Sequence, residues 1–200
     1  DLNGITQRLG YLHSLGVDAI WIAPMYPSPQ VDFGYDISDY ENVDPQYGTL
    51  ADFDNLLAEA KKLDIRICLD MVLNHTSDKH KWFLASETSR ANPKRDFYIW
   101  RDGKGDGPNG KPLPPNNWIS GFGGSAWEYS PTTHQFYYHN FYKQQPDLNW
   151  RNPAVETAMF NSMRFWLDKG VAGFRLDAIP TLFEDVGLRD ATVKEAGTNA

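Results

Sequence analysis

Three short, unbroken apolar runs, each preceded by a helical stretch, limit what this chain can fold into more than any other feature. Ile5, Leu9, Leu12 and Leu15 recur at helical spacing, and Gly16 follows as a stop. The run Ala19-Ile-Trp-Ile-Ala23 comes next and ends at Pro24, as a buried strand does. Thr49-Leu-Ala-Asp52 has the form of a helix start, with Phe53, Leu56, Leu57 and Ala60 on the buried face. Residues 65–72 make the second run. Asn152 is placed to cap a third helix with Pro153 at its first position, carrying Val155, Met159, Met163, Trp166 and Leu167 inward and stopping at Gly170. Residues 171–176 make the third run. Runs that stay apolar belong to strands covered on both faces, so this alternation predicts a parallel sheet of the α/β class. A (β/α)₈ TIM barrel and an open doubly wound sheet both fit it. No glycine-rich phosphate loop follows any strand, which counts against nucleotide binding.

The segment 76–150 breaks the alternation. It far exceeds the usual connection of roughly 2–6 residues between strand and helix. It is rich in Gly, Pro, Asn and aromatics, as in Arg101-Asp-Gly-Lys-Gly-Asp-Gly-Pro-Asn-Gly110 and Pro114-Pro-Asn-Asn-Trp118. The expected organisation is barrel residues 1–75, a small inserted domain over 76–150, and barrel residues 151–200. There is no internal repeat.

Hydrophobic residues make up 41% of the 200-residue chain and charged residues 22%, values of a soluble globular protein with a sizeable core. The net charge of -7 argues against nucleic acid or an anionic membrane as partner, since both reward basic patches. No apolar run approaches the roughly 20 residues that span a bilayer, and no signal peptide opens the chain. Cys68, inside Ile65-Arg-Ile-Cys-Leu69, reads as a buried, inert thiol; as the only cysteine it forms no disulfide within the chain, and the compartment stays open. Aromatics reach 14%, with seven Trp and ten Tyr, many in irregular stretches. Rings in loops beside carboxylates suit sugar binding, and they equally suit a large aromatic core.

Phe174-Arg175-Leu176-Asp177 is the first pattern with chemical content. Side chains two apart on a strand share a face, so Arg175 and Asp177 point the same way. An arginine favours the ionised form of a nearby aspartate, and barrel active sites lie at the C-terminal ends of strands. Such a carboxylate suits a nucleophile in glycoside transfer; the pattern also describes a structural ion pair in a barrel interior. In Asp70-Met-Val-Leu-Asn-His75, Asp70, Val72 and Asn74 alternate onto one face, with His75 at the strand's end or just past it. His75 reads as a satisfied structural histidine or, beside Asn74, as a hydrogen-bond donor to a ligand. Asp70 lies deeper and is expected to orient its neighbours. In Val31-Asp32-Phe33-Gly34-Tyr35-Asp36, Tyr35 suits stacking on a sugar and Asp32 suits accepting from hydroxyls, although Asp and Gly are also ordinary turn residues. Asn74-His-Thr76 matches a glycosylation sequon but is expected to be buried. His75, His80, Asp70 and Asn74 lack metal-ligand spacing, and no metal is expected.

Together these motifs resemble the α-amylase family of glycoside hydrolases. Asp70-Met-Val-Leu-Asn-His75 is similar to its first conserved region and Gly173-Phe-Arg-Leu-Asp-Ala178 to its second. Gln145-Pro-Asp-Leu-Asn149 resembles the extra region that marks the oligo-1,6-glucosidase and α-glucosidase branch. Asn116-Asn-Trp-Ile, Phe122-Gly-Gly-Ser-Ala-Trp127 and Tyr138-His-Asn-Phe141 look like the same branch. The resemblance covers essentially the whole chain, with its motifs in the family's order.

The resemblance implies a partial (β/α)₈ barrel, about strands two to four, with a small domain inserted after the third barrel strand. It implies Asp177 as the nucleophile that forms a covalent glucosyl-enzyme and Arg175 as the arginine that holds it. His75 would bind the hydroxymethyl end of the innermost sugar, and Asp32 and Tyr35 would bind and stack the terminal glucose. The activity implied is that of a retaining exo-α-glucosidase on maltose- or sucrose-like oligosaccharides, with some transglucosylation; Ala178 matches members that prefer α-1,4 bonds. Trehalose synthase, sucrose isomerase and trehalose-6-phosphate hydrolase share these regions. A catalytically inactive transporter heavy chain is disfavoured by the presence of Asp177, Arg175, His75 and Asp32, and an endo-acting amylase by Gln145-Pro-Asp-Leu-Asn149. No cofactor is implied, the partner is a small oligosaccharide, and the oligomeric state is unassigned. The first barrel strand, the calcium loop, the acid/base glutamate and the later His-Asp pair are expected outside these 200 residues, which alone should neither close a barrel nor turn over substrate. Glu184 and Asp185 are expected on the loop or helix after Asp177, not as the acid.

Overall fold

The computed structural model describes residues 1–192. In chain order its elements are α1 (Leu2–Ser14), β1 (Ala19–Ile22), α2 (Leu50–Lys62), β2 (Arg66–Val72), α3 (Lys81–Thr88), β3 (Trp100–Arg101), β4 (Trp127–Ser130), β5 (Gln135–Tyr138), α4 (Pro153–Lys169) and β6 (Gly173–Asp177). Two short 3₁₀ turns cover Arg95–Phe97 and Ile179–Thr181. The chain divides into two compact units, one of residues 1–72 and 157–177, the other of residues 73–156 with those from 178 onward.

The first unit carries the predicted alternation. Asp1 caps α1 by accepting from the Gly4 N–H, and the chain leaves the helix through Gly16 at φ +79°. Thr49 and Asp52 close a reciprocal capping box at the start of α2. Strands β1, β2 and β6 form one parallel sheet in that order, with Asp70 beside Arg175 and Val72 beside Asp177. Strand order follows chain order, so no reversal of winding occurs among the described strands. Met159 and Trp166 of α4 are fully buried. The Trp166 ring packs edge-on against Phe53 of α2 at 5.0 Å, and its indole N–H donates to the Tyr40 carbonyl at 2.7 Å.

One position at helical spacing and one inward assignment turn out exposed. Leu15 is 61% exposed and Leu167 47% exposed. Leu15 lies just past the last residue of α1, where the helical face no longer exists. Leu167 is one residue beyond Trp166, about 100° around the helix from the buried stripe. Met163 and Cys68 are half-buried rather than buried. Cover on both faces also fails at the outer strands, where Trp21 is 53% and Leu176 41% exposed, because β1 and β6 have a neighbour strand on one side only.

The second unit turns the long irregular segment into an ordered body. Strands β3, β5 and β4 pair antiparallel in that order. Ile99, Ala126, Trp127 and Phe136 form its core. Phe83 of α3 stacks on Trp100 at 5.8 Å and meets Tyr98 and Tyr137 edge-on. The buried Arg95 guanidinium lies 3.6 Å over the Trp100 ring and donates to Ser86, Thr133 and Gln135. Of the two readings of the aromatic content, the core accounts for these rings. At Gly103 a side chain would meet the Leu113 carbonyl at 2.3 Å, so the glycine-rich turn closes only without one. Among the described residues no helix is long and apolar enough to cross a membrane, and no group of His, Cys, Asp and Glu is arranged to hold a metal ion.

Candidate active site

In the first unit, adjacent parallel strands bring three charged groups together. Arg175 Nη1 donates to both Asp70 oxygens, at 3.1 and 3.0 Å, and to Asp177 Oδ1 at 2.5 Å. Asp70 is fully buried while the Arg175 side chain is 45% exposed, so the pair is anchored below and open above. Burial raises the Asp70 carboxyl above its ordinary range, against the lowering pull of Arg175 and Tyr35. Burial alone would lower Arg175, but its bond to Asp70 and the charges of Asp70 and Asp177 outweigh that and leave it raised. Asp70 orients its neighbours, as its depth in the strand predicts.

The loop after β1 joins the same cluster. The Tyr35 hydroxyl donates to Asp70 Oδ2 at 3.0 Å, and burial, with the Asp70 charge, pushes this phenol up to about 12. The Tyr35 N–H donates to the Asp32 carbonyl at 3.0 Å. Asp36 builds the loop: its buried carboxylate accepts from Ser28 Oγ at 2.9 Å and from the Val31 and Asp32 N–H groups at 3.0 Å each. Phe33 and Gly34 follow in the left-handed region, at φ +49° and +99°. A side chain at Gly34 would sit 3.1 Å from the Pro24 carbonyl. Nothing in the sequence marked Asp36, a turn aspartate whose three partners become visible only once the loop is closed.

In the second unit, His75 is 2% exposed and lies past the end of β2, as does Asn74, which therefore leaves the strand alternation expected for it. The His75 ring faces Asn74 Nδ2 at 3.2 Å through Nδ1 and Gln145 Nε2 at 3.0 Å through Nε2, and packs on Phe141 at 5.2 Å. Asn74 also meets Asp147 Oδ2 at 2.9 Å and Thr181 Oγ1 at 3.0 Å. Asn74 is 1% exposed, which rules its sequon out as a glycan site in the folded chain. Burial, partly offset by bonds from Asn140 and Asn74, pushes Asp147 up to about 8. Gln145 and Asp147 were visible in the sequence only as part of a family marker, with no role attached.

Residues 1–199 match the family described as "Alpha amylase, catalytic domain". This chain belongs to the alpha-amylase family. Over 190 residues the chain is 56% identical to a probable alpha-glucosidase of Rhizobium meliloti (strain 1021), covering 95% of this chain and 34% of that protein. The crystal structure of XgtA, described as an alpha-glucosyl transfer enzyme, superposes with a TM-score of 0.90 at 54% identity, over 95% of this chain and 35% of that one. That of a Bacillus licheniformis trehalose-6-phosphate hydrolase superposes with a TM-score of 0.93 at 46% identity, over 98% and 34%. The chain thus spans about a third of the length of these relatives.

The family implies a TIM barrel, and the three parallel strands in sequential order agree with it. The other carboxylates near Asp177 in sequence, Glu184 and Asp185, are committed elsewhere. Asp185 is clamped by Arg189 at 2.8 Å, whose hydrogen bonds hold its carboxyl well below the ordinary carboxylate range. Glu184 lies 3.8 Å from Arg151, whose guanidinium also donates to the Glu184 carbonyl.

Proposed function

We propose that this chain supplies the nucleophile and part of the sugar pocket of a retaining α-glucosidase. The observation that carries the reading is the shared Arg175 guanidinium, which donates to the buried Asp70 on one strand and to Asp177 at the end of the next. An anchored cation holds the Asp177 carboxylate in one orientation, and it is Asp70 that anchors the cation.

In this reading an Asp177 oxygen attacks the anomeric carbon of a terminal α-linked glucose. The bond to the leaving oxygen breaks as that oxygen takes a proton from an acid, and a glucosyl ester of Asp177 forms. Water, or a hydroxyl of a second sugar, then displaces Asp177 and completes hydrolysis or transfer with retention. The acid is not assigned to Asp185 or Glu184, whose side chains are held by Arg189 and Arg151. Tyr35 and Asp32 sit on the loop that Asp36 closes, and we assign them to the terminal glucose. His75 is assigned to sugar binding on the strength of its motif. The barrel is read as strands two to four, with residues 76–150 as a small inserted domain.

Relatives are described as a probable alpha-glucosidase, an alpha-glucosyl transfer enzyme and a trehalose-6-phosphate hydrolase, and in the proposed reaction such proteins would differ in what leaves or accepts the glucose. The test is Asp177→Asn in the full-length protein, assayed on maltose, sucrose and trehalose. Turnover should fall about a thousandfold or more on every substrate that the unaltered protein uses. Activity within tenfold of the unaltered protein overturns the assignment.

A further inference from the structure

The dipeptide Asn–Gly occurs twice, at Asn3–Gly4 and at Asn109–Gly110, and every other described asparagine precedes a residue with a side chain. The pair has a chemistry of its own. A glycine nitrogen has no Cβ beside it, so the amide carbon of the preceding asparagine can close on it in a five-membered ring. Both asparagines are exposed, so exposure does not distinguish them. Their backbones do.

Asn3 sits in the first turn of α1. Its Nδ2 donates to Asp52 Oδ1 at 3.1 Å, and the Gly4 N–H donates to Asp1 Oδ1 at 2.6 Å. A helical side chain also leans back toward the N-terminus, away from the nitrogen that follows it. Ring closure at Asn3 therefore requires the start of α1 to unwind.

Asn109 lies at the tip of the glycine-rich turn in the second unit. Its side chain has no hydrogen-bond partner among the described residues. Gly110 is at φ +67°, and a Cβ built on it would meet nothing within 4 Å. Its N–H holds one bond, to the Gly107 carbonyl at 2.9 Å. Below the tip, the Gly107 N–H donates to the Lys111 carbonyl at 2.9 Å and the Leu113 N–H to the Gly105 carbonyl at 2.8 Å. The Lys104 N–H donates to the Leu113 carbonyl at 3.0 Å. With its base pinned in this way, the turn can release the Gly110 N–H by local opening, without unfolding the rest.

We propose that Asn109–Gly110 is a site of spontaneous covalent modification, converting to aspartate and isoaspartate through a cyclic imide while Asn3–Gly4 stays intact in the folded protein. The Gly110 nitrogen bonds to Asn109 Cγ as the Cγ–Nδ2 bond breaks. Nδ2 leaves as ammonia, taking the proton that the Gly110 nitrogen gives up. Water then opens the ring. Cleavage of the bond to Cγ leaves aspartate, and cleavage of the bond to the main-chain carbonyl carbon leaves isoaspartate, in which the chain runs on through Cγ. Water is the only co-reactant, and nothing is oxidised or reduced. Each event turns a neutral amide into a carboxylate and makes the net charge of -7 one unit more negative. Isoaspartate also adds a methylene to the backbone of a turn that Gly107 and Gly110 close with a single bond.

The test incubates the full-length protein in ¹⁸O-water at mildly alkaline pH and maps its peptides by mass spectrometry. In the folded protein the peptide bearing Asn109 should take up one ¹⁸O and separate into aspartate and isoaspartate forms, about tenfold or more faster than the peptide bearing Asn3. Unfolded in guanidinium chloride, the two sites should react at similar rates. Asn109→Gln, whose longer side chain would have to close a six-membered ring, should stay unmodified when folded. Equal rates at Asn3 and Asn109 in the folded protein overturn the proposal. So does aspartate without isoaspartate, or an Asn109 peptide that reacts only when the protein is unfolded. The readout is a mass and not a turnover, so the outcome is independent of the proposed glucosidase activity.

Discussion

Asp70 and Arg175 lie side by side on neighbouring parallel strands, and the aspartate oxygen 3.0 Å from the guanidinium is fully buried while the arginine reaches into the open. The arginine therefore acts as an extension of a buried anchor. Removing it as Arg175→Ala strips Asp70 of its counter-charge. Unpairing one partner of a fully buried ion pair costs about 3–5 kcal/mol; with the arginine 45% exposed, a loss of about 1–3 kcal/mol is expected. Urea unfolding of the full-length variant measures it, and a change below about 0.5 kcal/mol would show that Asp70 is stabilised by other groups.

Tyr35 offers a separation of hydroxyl from ring. Tyr35→Phe removes the bond to Asp70 and should cost about 1 kcal/mol of stability while leaving KM for an α-glucoside within threefold. Tyr35→Ala removes the stacking face too, and KM should rise by tenfold or more. Equal effects of the two variants on KM would place the function in the hydroxyl.

Asp36 holds its loop through three bonds from Ser28, Val31 and Asp32. Asp36→Ala leaves the Val31 and Asp32 N–H groups without their acceptor and should destabilise the protein by about 1–3 kcal/mol, with a parallel rise in KM as Asp32 and Tyr35 lose their support. Thermal melts and steady-state kinetics on the same preparation decide it. A stable variant with raised KM would mean that the loop moves without unfolding.

Asp147 predicts a pH signature. Its carboxyl titrates near the ordinary value of about 3.9 when unfolded and near about 8 when folded, so between those pH values the folded state holds one proton more. Stability from this group is therefore greatest below the unfolded pKa and declines as pH rises through the window, by at most about 1.4 kcal/mol per unit. Asp147→Asn cannot titrate, so its stability relative to the unaltered protein should improve steadily from pH 4 to 8. Denaturant titrations across that range check the slope, and a constant difference would show that Asp147 is ionised throughout.

The elements were legible where local chemistry decides them. Thr49 and Asp52 announce α2 because a capping box needs only neighbours in sequence, and Gly16 and Gly170 mark helix ends because the left-handed turn favours them. The pairing of Asp70 with Arg175 was not legible, although each was noted, because register between strands is set across a sequence separation of 105. Tyr35 was singled out as a ring for stacking, while its bond to a residue 35 positions away became visible only in the folded chain. Gln145 and Asp147 carried a recognisable motif without a reason for it. That reason is a buried network of side chains from distant segments, in which no single spacing repeats. Leu15 and Leu167 show the opposite error, where a regular spacing was extended one residue past the point at which geometry supports it.

Directly after Asp177, Ala178 adopts φ +52° and ψ +32°. A side chain in that conformation costs on the order of 1 kcal/mol, and a branched one costs more. Asp177, the residue proposed as nucleophile, is thus followed by a sharp corner that glycine would enter freely but hold loosely. Alanine makes that corner stiffer than glycine would, so on the proposed reading residue 178 bears on how firmly the Asp177 carboxylate is aimed.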